Sequence, residues 1–121
     1  MATILVVDDS PTMLTGTSRI LVSAGHEVIQ AESGESGIAK AASDHPDLIL
    51  MDVVLPDLNG FQATRTLTTN PDTKHIPVVM LTTKDQETDK VWAMRQGAKD
   101  YIVKPVQEKA LIEHVNMVLS A

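Results

Sequence analysis

Apolar residues in this chain fall into two patterns. Ile4-Leu5-Val6-Val7, Leu48-Ile49-Leu50-Met51 and Val78-Val79-Met80-Leu81 are short runs with no alternation. Unbroken runs of this length suit strands buried on both faces of a sheet. Glu27 to Ala31 is a more polar strand, expected nearer an edge, and Tyr101-Ile102-Val103 is a short fifth one. Between them the spacing changes to that of helices. Ser10-Pro11 is a helix start, with Ser10 as N-cap and Pro11 in the first turn. Met13, Thr17, Ile20, Leu21 and Ala24 make its inward stripe, and Gly25 stops it. Gly34 to Ser43 is a second helix with Ile38, Ala41 and Ala42 inside, broken by His45-Pro46. Phe61 to Thr69 is a third, ended by Asn70-Pro71. Asp85 to Arg95 is a fourth, carrying Val91, Trp92 and Met94 and closed by Gly97. Gln107 to Leu119 is the last, with Leu111, Ile112, Val115, Val118 and Leu119 at helical spacing.

Strand and helix therefore alternate five times with short connections. That alternation predicts an α/β protein with a parallel sheet and helices on both faces. With the first and third strands adjacent, the strand order is 2-1-3-4-5, a doubly wound, flavodoxin-like (βα)5 sandwich. At 121 residues the chain is expected to be one domain, 1–121, with no output domain attached. The net charge of −6 argues against nucleic acid or an anionic membrane as the main partner. No apolar stretch approaches a membrane span and no signal peptide precedes the first strand. There are no cysteines, so thiolate metal sites are excluded and a cytoplasmic location is expected.

The candidate chemistry stands at the carboxyl ends of the strands, where open parallel sheets bind ligands. Asp8 and Asp9 follow the first strand, Asp52 the third, Thr82 the fourth and Lys104 the fifth. Taken singly each has an ordinary reading, as a cap, a turn acid, a strand-end hydroxyl or a surface lysine. Together they form one constellation at a crevice mouth. Three crowded carboxylates repel one another, and a hard divalent cation, magnesium or calcium, relieves this. Lys104 can reach a carboxylate or a phosphoryl oxygen, and Thr82 adds a hydroxyl. Such a set suits an aspartyl phosphate on Asp52. Rival chemistries lack their residues. A haloacid-dehalogenase-type phosphatase wants an acid where Val54 stands, a flavodoxin a phosphate loop where Asp8-Asp9 stands, and Gly-x-Gly-x-x-Gly is absent.

Asp8-Asp9, Asp52 with Pro56 and Gly60 behind it, Thr82, and Lys104-Pro105 resemble the CheY-like receiver domain of two-component response regulators. The resemblance covers essentially the whole chain. It implies that Asp52 is the phospho-acceptor and that Asp8, Asp9, Asp52 and the Val54 backbone carbonyl hold Mg2+. It implies that Thr82 and Lys104 bind the phosphoryl group and that Tyr101 is a switch aromatic, turning inward when Thr82 moves. It also implies a cis Lys104-Pro105 bond, where the residues alone predict trans.

Segments 60–65 and 84–92 are similar, more narrowly, to regulators of type IV pilus twitching motility. The implied protein is a non-enzymatic, monomeric response regulator in a chemotaxis-like phosphorelay. Its donor would be a histidine kinase or histidine phosphotransfer domain. Its target would be a motor or regulatory protein on the face of the fourth helix, fifth strand and fifth helix. The alternative is a scaffold of this fold that is never phosphorylated, or a phosphate sink. One departure stands out. Thr83 follows the switch hydroxyl where many receivers have a small residue, which puts phosphoryl access and lifetime in question.

Overall fold

The computed structural model describes residues 1–121. The elements run β1 (Thr3–Val7), α1 (Pro11–Ser23), β2 (Glu27–Ala31), α2 (Gly34–Asp44), β3 (Leu48–Met51), α3 (Gly60–Thr69), β4 (Val78–Thr82), α4 (Glu87–Arg95), β5 (Asp100–Val103) and α5 (Glu108–Leu119). All strands are parallel in the order β2-β1-β3-β4-β5. The unbroken apolar runs occupy the centre: every residue of β3 and β4 is buried, whereas the more polar β2 forms an edge.

Strand alternation divides the interior into two cores. Leu5, Val7, Ile49, Met51, Val78 and Met80 point to one side and pack with Ala41 of α2, Ala63 and Leu67 of α3, and Ala93 of α4. Ile4, Val6, Leu48, Leu50, Val79, Leu81 and Ile102 point to the other and meet Leu14 and Leu21 of α1 and Leu111 and Val115 of α5. Two apolar layers on one sheet provide the hydrophobic drive that holds it between its helices.

Helix boundaries follow local chemistry. The Ser10 hydroxyl caps Met13 N–H, with Pro11 at the first helical position. In α3, Asn59 Oδ1 accepts from Gln62 N–H while Gln62 Oε1 accepts from Asn59 N–H, a reciprocal capping box. After α1, Gly25 takes φ +93°, the left-handed stop its position predicts.

Three inward stripes differ from those read off the spacing. In α1, Met13 and Ala24 are exposed, and Leu14 and Ser18 face the core instead. A buried serine is tolerated there because its hydroxyl donates to Leu14 O at 2.6 Å and accepts from Gln30 Nε2 at 2.8 Å. In α2, Ala42 is exposed and Gly37 lies inside, so close to β1 that a Cβ would stand 2.8 Å from Val7 Cγ2. In α4, which starts at Glu87 and not Asp85, Val91, Trp92 and Met94 are all about half exposed and only Ala93 is buried. Its apolar residues do not share one face, so small Ala93 alone seats the helix.

Gly16 sits in the middle of α1 on its exposed side, and an added Cβ would meet nothing within 4 Å. A mid-helix glycine without a packing reason loses about 1 kcal/mol relative to alanine. Gly16→Ala should therefore raise the melting temperature by roughly 4 °C in scanning calorimetry. A lower melting temperature would show that the position serves something other than the helix.

Candidate functional site

Sheet register assembles the site. The last paired residues of β1 and β3 are Val7 and Met51, so Asp8 and Asp52 leave the sheet side by side. Backbone bonds continue the pattern one step beyond the strands: Asp52 N–H donates to Val7 O at 3.0 Å and Lys104 N–H to Thr82 O at 2.8 Å. Val6, Leu50 and Ile102 all face the α1–α5 core, and two residues on from each stand Asp8, Asp52 and Lys104. Period two thus delivers the three charged groups to the same side of the sheet end.

There Lys104 Nζ donates to Asp8 Oδ2 at 2.6 Å and to Asp52 Oδ2 at 3.2 Å. All three side chains are at least nine-tenths buried. Each carboxylate has one further tie. Asp8 Oδ1 accepts from Ser10 N–H at 2.9 Å, and Asp52 Oδ1 from Val54 N–H at 3.2 Å. Two buried carboxylates thus share one ammonium, which leaves a net negative charge out of water. The Lys104-Pro105 peptide is cis.

Gly60 closes the site from behind. The first turn of α3 lies against the backbone at Asp52, and a Cβ at Gly60 would stand 2.0 Å from Asp52 O. Gly60 N–H donates to Val53 O at 2.8 Å. Only glycine permits that approach.

The side chains of the other candidates make no hydrogen bond to the triad. Asp9 is exposed and borders a depression of about 1050 Å³ between β2, α2 and Pro56. No three acidic or histidine side chains are gathered closely enough to hold a metal ion. The donors beside Lys104 are nevertheless all oxygen, the class that hard cations take. No backbone or side-chain donor of the protein reaches the exposed Val54 carbonyl.

Thr82 and Tyr101 project toward the α4 side. Thr82 is fully buried, and Thr83 beyond it is exposed. Thr82 Oγ1 accepts from Lys84 N–H at 3.4 Å, and Tyr101 OH donates to Lys84 O at 2.8 Å. The Lys84 residue of the β4–α4 loop is therefore clipped at both its N–H and its C=O. Tyr101 packs its ring on the α2–α4 core. Burial pushes the phenol up to about 12, aided by the charges of Asp89, Asp52 and Asp85.

Sequence reasoning missed Asp57. Its carboxylate accepts from Gly34 N–H at 2.9 Å and Glu35 N–H at 2.8 Å, across the first turn of α2. The Glu35 amide does most to hold the Asp57 carboxyl below its usual range, and those of Gly34, Leu58 and Asp57 itself add to it against partial desolvation. An acid more than twenty residues from the helix it caps leaves no local signal.

The four histidines lie outside the triad. His26 Nδ1 accepts from Ala2 N–H, His114 Nδ1 lies 2.6 Å from Asp100 Oδ2, and the His45 and His75 rings stack at 6.5 Å.

A doubly wound sheet with a buried acid–lysine–acid triad at its carboxyl edge defines a class. The chain belongs to the response regulator receiver domain family, whose model matches residues 4–116. It is 55% identical to Protein PilH of Pseudomonas aeruginosa over 120 residues, 99% of each chain. It is 39% identical over 114 residues to Response regulator PleD of Caulobacter vibrioides, of which it spans only 25%. Solved structures agree. Chemotaxis protein CheY4 of Vibrio cholerae superposes with TM-score 0.92 at 33% identity, covering 98% of both chains. A CheY-like receiver domain protein of Methanospirillum hungatei gives 0.92 at 30% identity, covering 99% of this chain and 94% of that one. No helix is long and apolar enough to cross a membrane.

Because Tyr101 is the chain's single tyrosine, its environment is measurable. Its raised value means the fold favours the neutral phenol. That contribution is complete below about pH 10 and is lost as pH rises toward about 12. Ultraviolet titration of the folded protein should give a tyrosinate midpoint near 12, falling to about 10 in denaturant. A folded midpoint near 10 would mean that Tyr101 is not held as described.

Proposed function

We propose that this protein is a response regulator that accepts a phosphoryl group on Asp52 from a histidine kinase or histidine phosphotransfer domain. It signals by protein–protein contact within a chemotaxis-like relay controlling twitching or other surface motility. The observation that carries the chemistry is Asp52 itself, buried yet held by only two contacts of 3.2 Å, one from Lys104 and one from Val54 N–H. A carboxylate with so little compensation is a nucleophile kept ready. Full-length similarity to PilH and the resemblance of segments 60–65 and 84–92 support the pathway.

In the transfer, an Asp52 oxygen forms the new P–O bond as the donor's P–N bond breaks and the donor histidine leaves. Lys104 holds Asp8 at 2.6 Å and Asp52 at 3.2 Å, so it can stay anchored on Asp8 while its ammonium turns to the incoming phosphoryl oxygens. Asp8, Asp52 and the Val54 carbonyl would supply oxygen ligands for Mg2+, with the exposed Asp9 carboxylate as a further one. When bound, the cation neutralises the transferring group. Lys104 and Thr82 then hold the phosphoryl group, with Thr83 at the mouth limiting the approach of donor and water.

Signal output follows from the clip on Lys84. A phosphoryl oxygen that takes the Thr82 hydroxyl draws it from Lys84 N–H, shifts the Lys84 carbonyl and lets Tyr101 turn inward. This differential bonding stabilises the active state over the resting one. The face that changes is α4-β5-α5, where Val91, Trp92 and Met94 stand exposed for a motor or regulatory partner. The protein works as a monomer, without nucleic acid or membrane.

Incubation with a small phosphodonor and magnesium should add one phosphoryl mass, and Asp52→Asn should abolish the gain while leaving the circular dichroism spectrum unchanged. A parent chain that stays unlabelled is a scaffold. A labelled parent that drains phosphoryl from the kinase without altering Trp92 fluorescence is a phosphate sink. Labelling that survives Asp52→Asn moves the acceptor to another carboxylate.

A further inference from the structure

We propose that Asp57 is a positioning residue: by fastening the β3–α3 loop to α2 it presets the Val54 peptide beside Asp52, and so sets the affinity of the crevice for a divalent cation. The proposal rests on the phospho-acceptor reading above and adds to it a residue outside the crevice.

The loop from Val53 to Asn59 carries the Val54 carbonyl and contains no regular structure. At its ends it is tied by Val54 N–H to Asp52 Oδ1 and by Gly60 N–H to Val53 O. Between these points, apart from the Asn59 cap of α3 itself, Asp57 provides the loop's only hydrogen bonds to another element, two of them, both to backbone donors of α2. Leu58 packs beside the same turn, so close that a Cβ at Gly34 would stand 2.9 Å from Leu58 Cγ. Both features seat the loop on one spot.

That spot is a rigid reference. α2 lies on β1 through Gly37, whose added Cβ would meet Val7, the residue before Asp8. The α2 first turn is also otherwise complete. Ser33 Oγ takes Ser36 N–H and Ser36 Oγ takes Ser33 N–H, which leaves Gly34 and Glu35 N–H to the Asp57 carboxylate. All four free donors of the helix start are thus satisfied, two of them from the loop that follows β3. The partial positive charge of the turn favours the ionised carboxylate. Asp57 is the link that fixes the loop after Asp52 relative to the strand that ends at Asp8. A carbonyl ligand two residues from the acceptor is useful only if it is held at the right distance from both acids.

Two variants test this. Asp57→Ala removes both bonds, and Asp57→Asn keeps an oxygen able to accept one. Magnesium affinity is measured by titration calorimetry without phosphodonor, and the magnesium dependence of phosphorylation by a small phosphodonor is followed by mass. Asp57→Ala should raise both the magnesium Kd and the half-maximal magnesium concentration about tenfold, the lower end for loss of an outer-shell support. Its rate at saturating magnesium should stay near that of the parent, and Asp57→Asn should fall between. A cap with no positioning role would lower the melting temperature and leave the magnesium Kd unchanged, and that result overturns the proposal. If Asp57→Ala unfolds at the assay temperature, the asparagine variant decides by the same criterion. A parent that takes up neither magnesium nor phosphoryl overturns the function of the site as well. A parent that takes up both, beside variants of unchanged Kd, overturns the role of Asp57 alone.

Discussion

The ammonium of Lys104 lies between two buried carboxylates, and much of the structure is arranged to keep it there. A charge removed from water must be paired, and here one cation serves Asp8 at 2.6 Å and Asp52 at 3.2 Å. The parallel pairing of β1 with β3 brings the two acids side by side, and the β4–β5 pairing, continued by Lys104 N–H to Thr82 O, brings the lysine to them. Gly60 allows α3 to press against the Asp52 carbonyl. The imbalance of two negative charges against one positive is unfavourable, and a cation in the crevice would relieve it.

Behind this triad lies a second layer of opposite parity. Thr82 and Tyr101 face the α4 side and grip one loop residue, Lys84, from both ends. The charged triad and this clip thus lie toward opposite faces of the sheet. Of the five helices, α4 buries the fewest residues. It has one buried residue and follows directly from the gripped loop, so little packing resists its displacement.

Much of this was legible from residue order. Unbroken runs in β1, β3 and β4 announced central strands because burial on both faces leaves no place for polar residues. The polar residues at the strand ends pointed to one crevice, since a buried strand does not end in charge without cause, and three of them, Asp8, Asp52 and Lys104, are joined there. Less legible were features that depend on three-dimensional company. The α1 stripe was misphased because Ser18 finds its partners in Leu14 O and Gln30, neither of which spacing reveals. The exposure of Val91, Trp92 and Met94 follows from the narrow seat under Ala93. Asp9 was grouped with its neighbours in sequence, yet adjacent residues leave a chain in different directions, and its side chain is exposed. The Asp57 clamp joins two loops by tertiary contact alone.

The central claim is that the triad carries one negative charge too many. Urea denaturation of the parent and of Asp52→Asn, each without divalent cation and then with magnesium, tests it most directly. Neutralising Asp52 leaves Lys104 matched one to one with Asp8, so the variant should unfold at the same or a higher urea concentration than the parent when no cation is present. Magnesium at ~10 times its Kd should stabilise the parent by about 1.4 kcal/mol and the variant by clearly less. A variant that is markedly less stable without cation, and that keeps the parent's full response to magnesium, would contradict the account.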